Sequence, residues 1–216
     1  TNERQLTTRT QYEIRSVWSV TMSALPKRKM TETEYLSFEE KSEERHEFYN
    51  GETFAMAGAS RQHCDISTNL IIELHPRLRG GPCRVSAAGQ RVKVSRTGLY
   101  TYPDLLIVCG PREFDKLNEN TLINPNIVIE ILSDSTEGYD RGTKFEHYQK
   151  LPSVREYVLV RQDRMRIERH VRQPDESWTT TAFDDPAGSF ALATIPISIP
   201  LADVYRDVEL TGEPLR

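Results

Sequence analysis

Apolar residues in this chain fall into short runs rather than long stripes. The densest is Ile127-Val128-Ile129-Glu130-Ile131-Leu132. Branched side chains on both of its faces predict a strand buried on both sides, with one carboxylate, Glu130, in its middle. A second apolar run, Leu105-Leu106-Ile107-Val108, follows Tyr102-Pro103-Asp104. Proline is tolerated at the first residue of a strand, so Asp104 marks the point where this strand enters the core. Further strands are predicted at 83–86, 90–94, 156–160, 165–171 and 178–183. The stretch 195–200 carries prolines that confine it to a sheet edge. Aromatic-rich segments on either side of Asn50-Gly51 predict a hairpin with a type I′ turn. Residues 118–125 are polar and read as a connection.

Helical periods are fewer. Thr31-x-x-Glu34 is a capping box, and the helix it opens is expected to bury Tyr35 and Phe38 and to leave Glu39, Glu40 and Glu43 outside. Ser60 caps a helix over 61–78, in which Ile66, Leu70 and Leu74 recur every four residues, with His63 one turn earlier on nearly the same stripe. After the Glu130 strand and a polar turn, a helix is predicted on which Asp140 and Lys144 share one face. A short helix near 201–205 closes the pattern. Residues 1–26 show no sustained period and are expected to form a poorly ordered arm; Met22 is a candidate natural start. Residues 27–210 read as one domain and 211–216 as a tail. The order of elements predicts an α+β fold.

Composition narrows the class. The chain has 216 residues, of which 37% are hydrophobic and 28% charged, values of a globular protein with a real core. No apolar run approaches the ~20 residues of a membrane span, so no membrane partner is expected. Cys64, Cys83 and Cys109 are an odd number without C-x-x-C spacing, which predicts neither a disulfide framework nor a cysteine-built zinc site and suits a reducing, cytoplasmic setting. A net charge of −4 is not that of a protein that coats nucleic acid. Between Asp140 and Arg172, however, there are nine lysines and arginines against five acids, and Arg164 to Arg172 reads as a strand with a basic outer face.

An ionised carboxylate in a buried strand costs several kcal/mol unless something positive pairs with it. If the Asp104 and Glu130 strands pair, the two carboxylates converge and can share a magnesium ion, with Lys144 delivered from the following helix to orient a nucleophile or stabilise developing charge on a phosphate. Each residue also has a structural reading. Asp104 could cap a strand-entry turn, Glu130 and Lys144 could form a buried ion pair, Lys144 could pair only with Asp140, and Glu47 could be an exposed strand residue. His63 reads as a partly buried helix histidine.

At these residues the chain resembles the PD-(D/E)XK nuclease superfamily and, more closely, the Uma-two family of restriction-type endonucleases. The stretches that carry the resemblance are Arg45-His46-Glu47-Phe48-Tyr49-Asn50-Gly51-Glu52, Ala55-Met56-Ala57-Gly58-Ala59-Ser60 and Tyr100-Thr101-Tyr102-Pro103-Asp104. They continue with Val128-Ile129-Glu130-Ile131-Leu132-Ser133, with Asp140-Arg141-Gly142-Thr143-Lys144-Phe145-Glu146-His147-Tyr148 and with Arg155-Glu156-Tyr157, so that the resemblance runs from about residue 29 to 208. It implies a restriction-endonuclease-like core, a mixed β-sheet flanked by helices with additional antiparallel strands, and a magnesium or manganese cofactor. It also implies Asp104 and Glu130 as metal ligands, the Ile131 backbone carbonyl as a third, Lys144 as the catalytic lysine and Glu47 as a further acid. Two positions depart from the pattern. Leu132 stands where the motif lysine belongs, so the resemblance implies a lysine moved to the helix, and Asp134 stands where the family usually has proline.

The expected function is metal-dependent hydrolysis of DNA, with DNA as substrate and a homodimer as the working form, because cutting both strands of a duplex needs two sites. The edge strand at 195–199 and the N-terminal arm are candidate contact surfaces. Two other classes remain open on sequence alone: a non-cleaving nucleic-acid-binding module that uses the basic strand, and an interaction protein whose Glu130–Lys144 pair is structural.

Overall fold

The computed structural model describes residues 29–212; the expected arm, its Met22 start and all but two residues of the tail lie outside them. Thr31 opens α1 (Glu32–Glu39) with the capping box formed in both directions. The hairpin β1 (His46–Tyr49) and β2 (Glu52–Ala55) turns at Asn50 and Gly51, both at positive φ, 51° and 84°, as a type I′ turn requires. Ser60 caps α2 (Arg61–Leu78) by accepting from the His63 N–H.

The strands that follow are β3 (Cys83–Ala87), β4 (Arg91–Val94), β5 (Leu99–Thr101), β6 (Leu105–Cys109), β7 (Phe114–Asp115), β8 (Asn118–Leu122) and β9 (Ile127–Leu132). A composite helix comes next: α3 (Glu137–Tyr139), a π-helical turn at Asp140–Lys144, and α4 (Phe145–Gln149). The chain ends with β10 (Glu156–Arg161), β11 (Ile167–Arg172), β12 (Trp178–Phe183), β13 (Ser189–Ala191), β14 (Ser198–Pro200) and α5 (Leu201–Val204).

The main sheet has the order β12-β11-β10-β9-β6-β3, and a second sheet runs β2-β1-β5-β4-β8-β7. The main sheet is mixed: β9 and β10 are parallel, while β6 is antiparallel to β9 with Leu105 opposite Ile129. Alternation along β9 splits the core in two. Ile127, Ile129 and Ile131 pack with Ile66, Leu70 and Leu74 of α2 on one side. Val128 and Leu132 face the other side, with Val92, Val94 and Leu99 of the second sheet and Tyr148 of α4. Glu130 shares that second side, so the sheet's own pleat aims it at the composite helix.

Several expectations need correction. Glu39 is buried and Phe38 is 39% exposed. Glu39 turns inward because it accepts hydrogen bonds from the His46 N–H at 2.9 Å and the Tyr102 hydroxyl at 2.9 Å, which satisfies the carboxylate inside. Residues 118–122 form a strand, held by parallel pairing of β8 with β4. The stretch at 195–199 does run into an edge strand, since β14 pairs only with β13 in a separate two-stranded ribbon, but Ile197 and Ile199 are buried in the core and do not offer the contact surface expected of them. Cys83 and Cys109 are direct partners in the β3–β6 register and are joined in a disulfide, while Cys64 is free and exposed. Two cysteines 26 residues apart give no sign in their spacing that strand pairing will bring them together. The argument for a reducing compartment from cysteine usage therefore falls.

Candidate functional site

Four expected site residues arrive from four elements. Glu47 lies on β1, Asp104 just ahead of β6, Glu130 in mid β9 and Lys144 at the end of the π turn. Lys144 gathers two of the others, Glu47 and Glu130, together with Asp140. Its Nζ lies 2.9 Å from Glu130 Oε1, 3.3 Å from Glu47 Oε1 and 3.4 Å from Asp140 Oδ1. Lys144, Glu130 and Asp140 are each no more than 5% exposed. The pairing of Lys144 with Asp140 is therefore one part of a buried cluster and not a surface i,i+4 contact.

The helix that carries Lys144 is wider than the regular α-helix expected. Its π turn makes both Asp140 and Lys144 buried, and wide turns of this kind recur at functional sites. The turn is braced where its ladder is disturbed: the Tyr157 hydroxyl donates to the Asp140 carbonyl at 2.8 Å. Asp134, the second departure from the family pattern, sits exposed in the polar turn before the helix.

Asp104 is held at both carboxylate oxygens. Oδ2 accepts the Ile131 N–H at 2.7 Å, and Oδ1 lies 3.0 Å from His63 Nε2. The Asp104 N–H lies 3.4 Å from Glu130 Oε2, so the two carboxylates are neighbours across the strand pair. Glu130 Oε1 also accepts from the Tyr148 hydroxyl at 3.3 Å. Glu47 is oriented by the Thr101 hydroxyl, which donates to its Oε1. The roles of His63, Thr101 and Tyr148 are invisible to local sequence reasoning, because each depends on a partner at least 18 residues away.

The pocket carries an excess of negative charge. Among the described residues Glu47, Glu130 and Asp140 contact the Lys144 ammonium, and a fourth carboxyl group, Asp104, stands beside Glu130. Burial pushes Glu130 well above the usual carboxylate range; Lys144 opposes this, and the charges of Asp104 and Asp140 add to it. Burial alone would favour a neutral Lys144, but Glu130, Glu47 and Asp140 outweigh it and hold the proton on. The excess of negative charge is a matter of count, four neighbouring carboxyl groups to one ammonium.

That electrostatic demand fits a hard divalent cation. Among the described residues no three His, Cys, Asp or Glu side chains converge closely enough to hold a metal ion by themselves. What is offered is two adjacent carboxylates and a backbone oxygen. Continuing the β6–β9 register one step places Pro103 opposite Ile131, and proline has no N–H to give the Ile131 carbonyl. The N–H and C=O of a strand residue point to the same side, and the Ile131 N–H points to Asp104. Magnesium needs no complete protein cage, since it keeps several waters and is completed by substrate phosphate. The residues present fit such an ion.

The basic strand is otherwise engaged. Arg166 pairs with Glu168 at 2.9 Å and with Asp184 at 2.8 Å, and Arg141 reaches Glu168 at 2.6 Å. Arg172 is buried and donates to the Gln149, Leu151 and Val154 carbonyls. These guanidinium groups build the domain and offer little to a phosphate backbone.

A mixed sheet with a buried glutamate in a central strand, an aspartate at the neighbouring strand's entrance and a lysine from the next helix defines a restriction-endonuclease-like α+β domain. The family model Uma2, described as "Putative restriction endonuclease", matches residues 32–202, and the chain belongs to that family. It is 33% identical over 178 residues to a Synechocystis protein, "Uncharacterized protein slr1290", across 82% of this chain and 92% of the relative. A second Synechocystis protein, "Uncharacterized protein sll1609", is 30% identical over 152 residues, or 70% of this chain and 86% of the relative. The fold is similar to a crystal structure from Anabaena variabilis described as "a putative nuclease belonging to DUF820", with TM-score 0.65 and 18% identity over 80% of this chain and 95% of that one. Among the described residues no helix is long and apolar enough to cross a membrane.

Proposed function

We propose that this protein is a magnesium- or manganese-dependent DNA endonuclease of the PD-(D/E)XK type. The observation that carries the reading is the meeting of Lys144 with Glu130 and Glu47 in one buried pocket, with Asp104 beside Glu130. Asp104, Glu130 and the Ile131 carbonyl would hold the ion. When bound, it supplies Lewis-acid polarisation of the scissile phosphate and a water made acidic enough to attack at neutral pH. Lys144 presents a fixed ammonium in a site shielded from water, where its charge stabilises the negative charge that builds on the phosphate. Glu47 and Asp140 keep that ammonium protonated and aimed. Tyr148 and the Ile131 N–H hold the carboxylates in place.

The working form is a homodimer, since a duplex presents two scissile bonds. β12 ends the main sheet and its six residues are uncharged, an edge that a second chain can extend. Sedimentation showing a monomer at all concentrations would remove the dimer from the reading without touching the chemistry.

The test is nicking of supercoiled plasmid by pure protein in magnesium or manganese, with wild type compared with Asp104→Asn, Glu130→Gln and Lys144→Met. Wild type is expected to nick and the folded variants to lose ~100-fold or more, the order seen when one charge-stabilising group is removed from a site. Equal cutting by wild type and variants would end the assignment.

A further inference from the structure

His63 belongs to α2, on the far side of the main sheet from Lys144, yet its Nε2 reaches Asp104 Oδ1 at 3.0 Å. The side chains are 18% and 15% exposed, so the bond is largely shielded from solvent without being sealed from it. Asp104 has its other oxygen on the Ile131 N–H. A carboxylate held at one oxygen can still swing about its Cα–Cβ and Cβ–Cγ bonds; held at both, its plane and its remaining lone pairs are fixed.

The first turn of α2 does not need this bond to be anchored. Ser60 Oγ donates to Gln162 Oε1 at 2.5 Å, and the Gln62 side chain donates to the Glu209 carbonyl at 3.3 Å. Arg61 pairs with Glu209 at 3.2 Å. Ser60 also caps the helix through the His63 backbone and not its ring. The imidazole is thus free of any docking duty that these contacts leave undone, and what it does touch is an expected cation ligand.

We propose that His63 is a positioning residue: its Nε2–H locks the Asp104 carboxylate in the orientation that receives the divalent cation, and so sets the affinity of the site. The inference rests on the reading of Asp104 as a cation ligand. Hydrogen-bond partners behind metal ligands change affinity by ~10–100-fold when removed. Glutamine at position 63 keeps an Nε2–H donor at similar reach; leucine keeps bulk and removes the donor.

The experiment is calorimetric titration of the full chain with manganese alone, without DNA, for wild type, His63→Leu, His63→Gln and Asp104→Asn, each first checked for an intact urea-unfolding transition. Wild type is expected to bind, Asp104→Asn to lose binding, His63→Leu to bind ~10–100-fold more weakly and His63→Gln to regain most of that loss. In nicking assays the manganese concentration for half-maximal rate should rise in His63→Leu, with the rate at saturation largely restored. A merely structural histidine would lower the unfolding midpoint and leave manganese affinity unchanged. If wild type binds manganese and His63→Leu binds it equally well, or if His63→Gln is as weak as His63→Leu, the inference is overturned while the reading of the site stands. If wild type binds no manganese, the reading of the site falls and takes the inference with it.

Discussion

Lys144 Nζ and Glu130 Oε1 stand 2.9 Å apart with both side chains almost wholly out of water, one from a π turn and one from the middle of the central strand. Neither charge could stay there alone. Truncating one partner of a buried pair leaves the other uncompensated, at a cost of ~3–5 kcal/mol. Lys144→Met is therefore expected to lower unfolding stability by about that amount, because it strands Glu130, Glu47 and Asp140 together. Lys144→Met combined with Glu130→Gln should be less destabilised than the sum of the single changes. Urea unfolding of the four proteins measures this, and additive losses would mean that the two side chains are not coupled.

A second prediction concerns pH. Burial alone would raise the Glu168 carboxyl, but hydrogen bonds from Arg141 and Arg166 outweigh it and hold it at about 2, below the ordinary value of 4.5. A carboxyl depressed on folding contributes stability that is fully present above its unfolded value and is lost as pH falls through its folded one. Wild type should therefore lose stability between pH 4.5 and about 2, and Glu168→Gln should lose less across that window. Urea midpoints at several acid pH values decide it; parallel profiles would show that Glu168 does not drive the acid limb.

A third prediction follows from the bridge between β3 and β6. Cys83 and Cys109 close a loop with a sequence separation of 26, and restricting the unfolded chain over such a loop contributes ~3–4 kcal/mol. Cys83→Ser with Cys109→Ser, or reduction, should lower the urea midpoint accordingly. Thiol titration of the unreduced, denatured protein should find Cys64 alone. Three titratable thiols would show that the bridge does not form in solution.

What was legible in the sequence was what local chemistry decides. The Thr31 capping box, the Asn50-Gly51 turn, the Ser60 cap and the apolar run of β9 on either side of Glu130 each carry their signal within a few residues, and each element stands where the pattern put it. Asp104, Glu130 and Lys144 were legible for a different reason: a charge inside an apolar context must have a partner. The misses depend on distant pairing. β8 looked like a loop because four of its five residues are polar, and its strand conformation comes from β4. Glu39 looked external because its donors, His46 and Tyr102, lie on other elements. The π turn has no period that distinguishes it from an α-helix, and His63 reaches Asp104 only because α2 packs on the main sheet.

The last prediction tests the proposal that Lys144 stands in for a lysine that the strand lacks. Leu132 is two residues after Glu130, so in β9 it projects to the same side of the sheet, where it is buried beside Tyr148. A lysine there would point its ammonium into the pocket that Lys144 now serves from the helix. In the wild-type background Leu132→Lys adds a second buried cation to a cluster already built around one and removes apolar packing, so it should destabilise by several kcal/mol. In the Lys144→Met background the same change returns a positive charge to Glu130 and Asp140. Leu132→Lys with Lys144→Met should therefore be more stable than Lys144→Met alone, and should nick plasmid ~10-fold or more faster than it, a gain that corresponds to ~1.4 kcal/mol of barrier. Urea unfolding and plasmid nicking in manganese read the two parts separately. Recovered stability without recovered nicking would mean that the ammonium must approach from the helix side. Recovery of neither would mean that the strand position cannot serve this pocket at all.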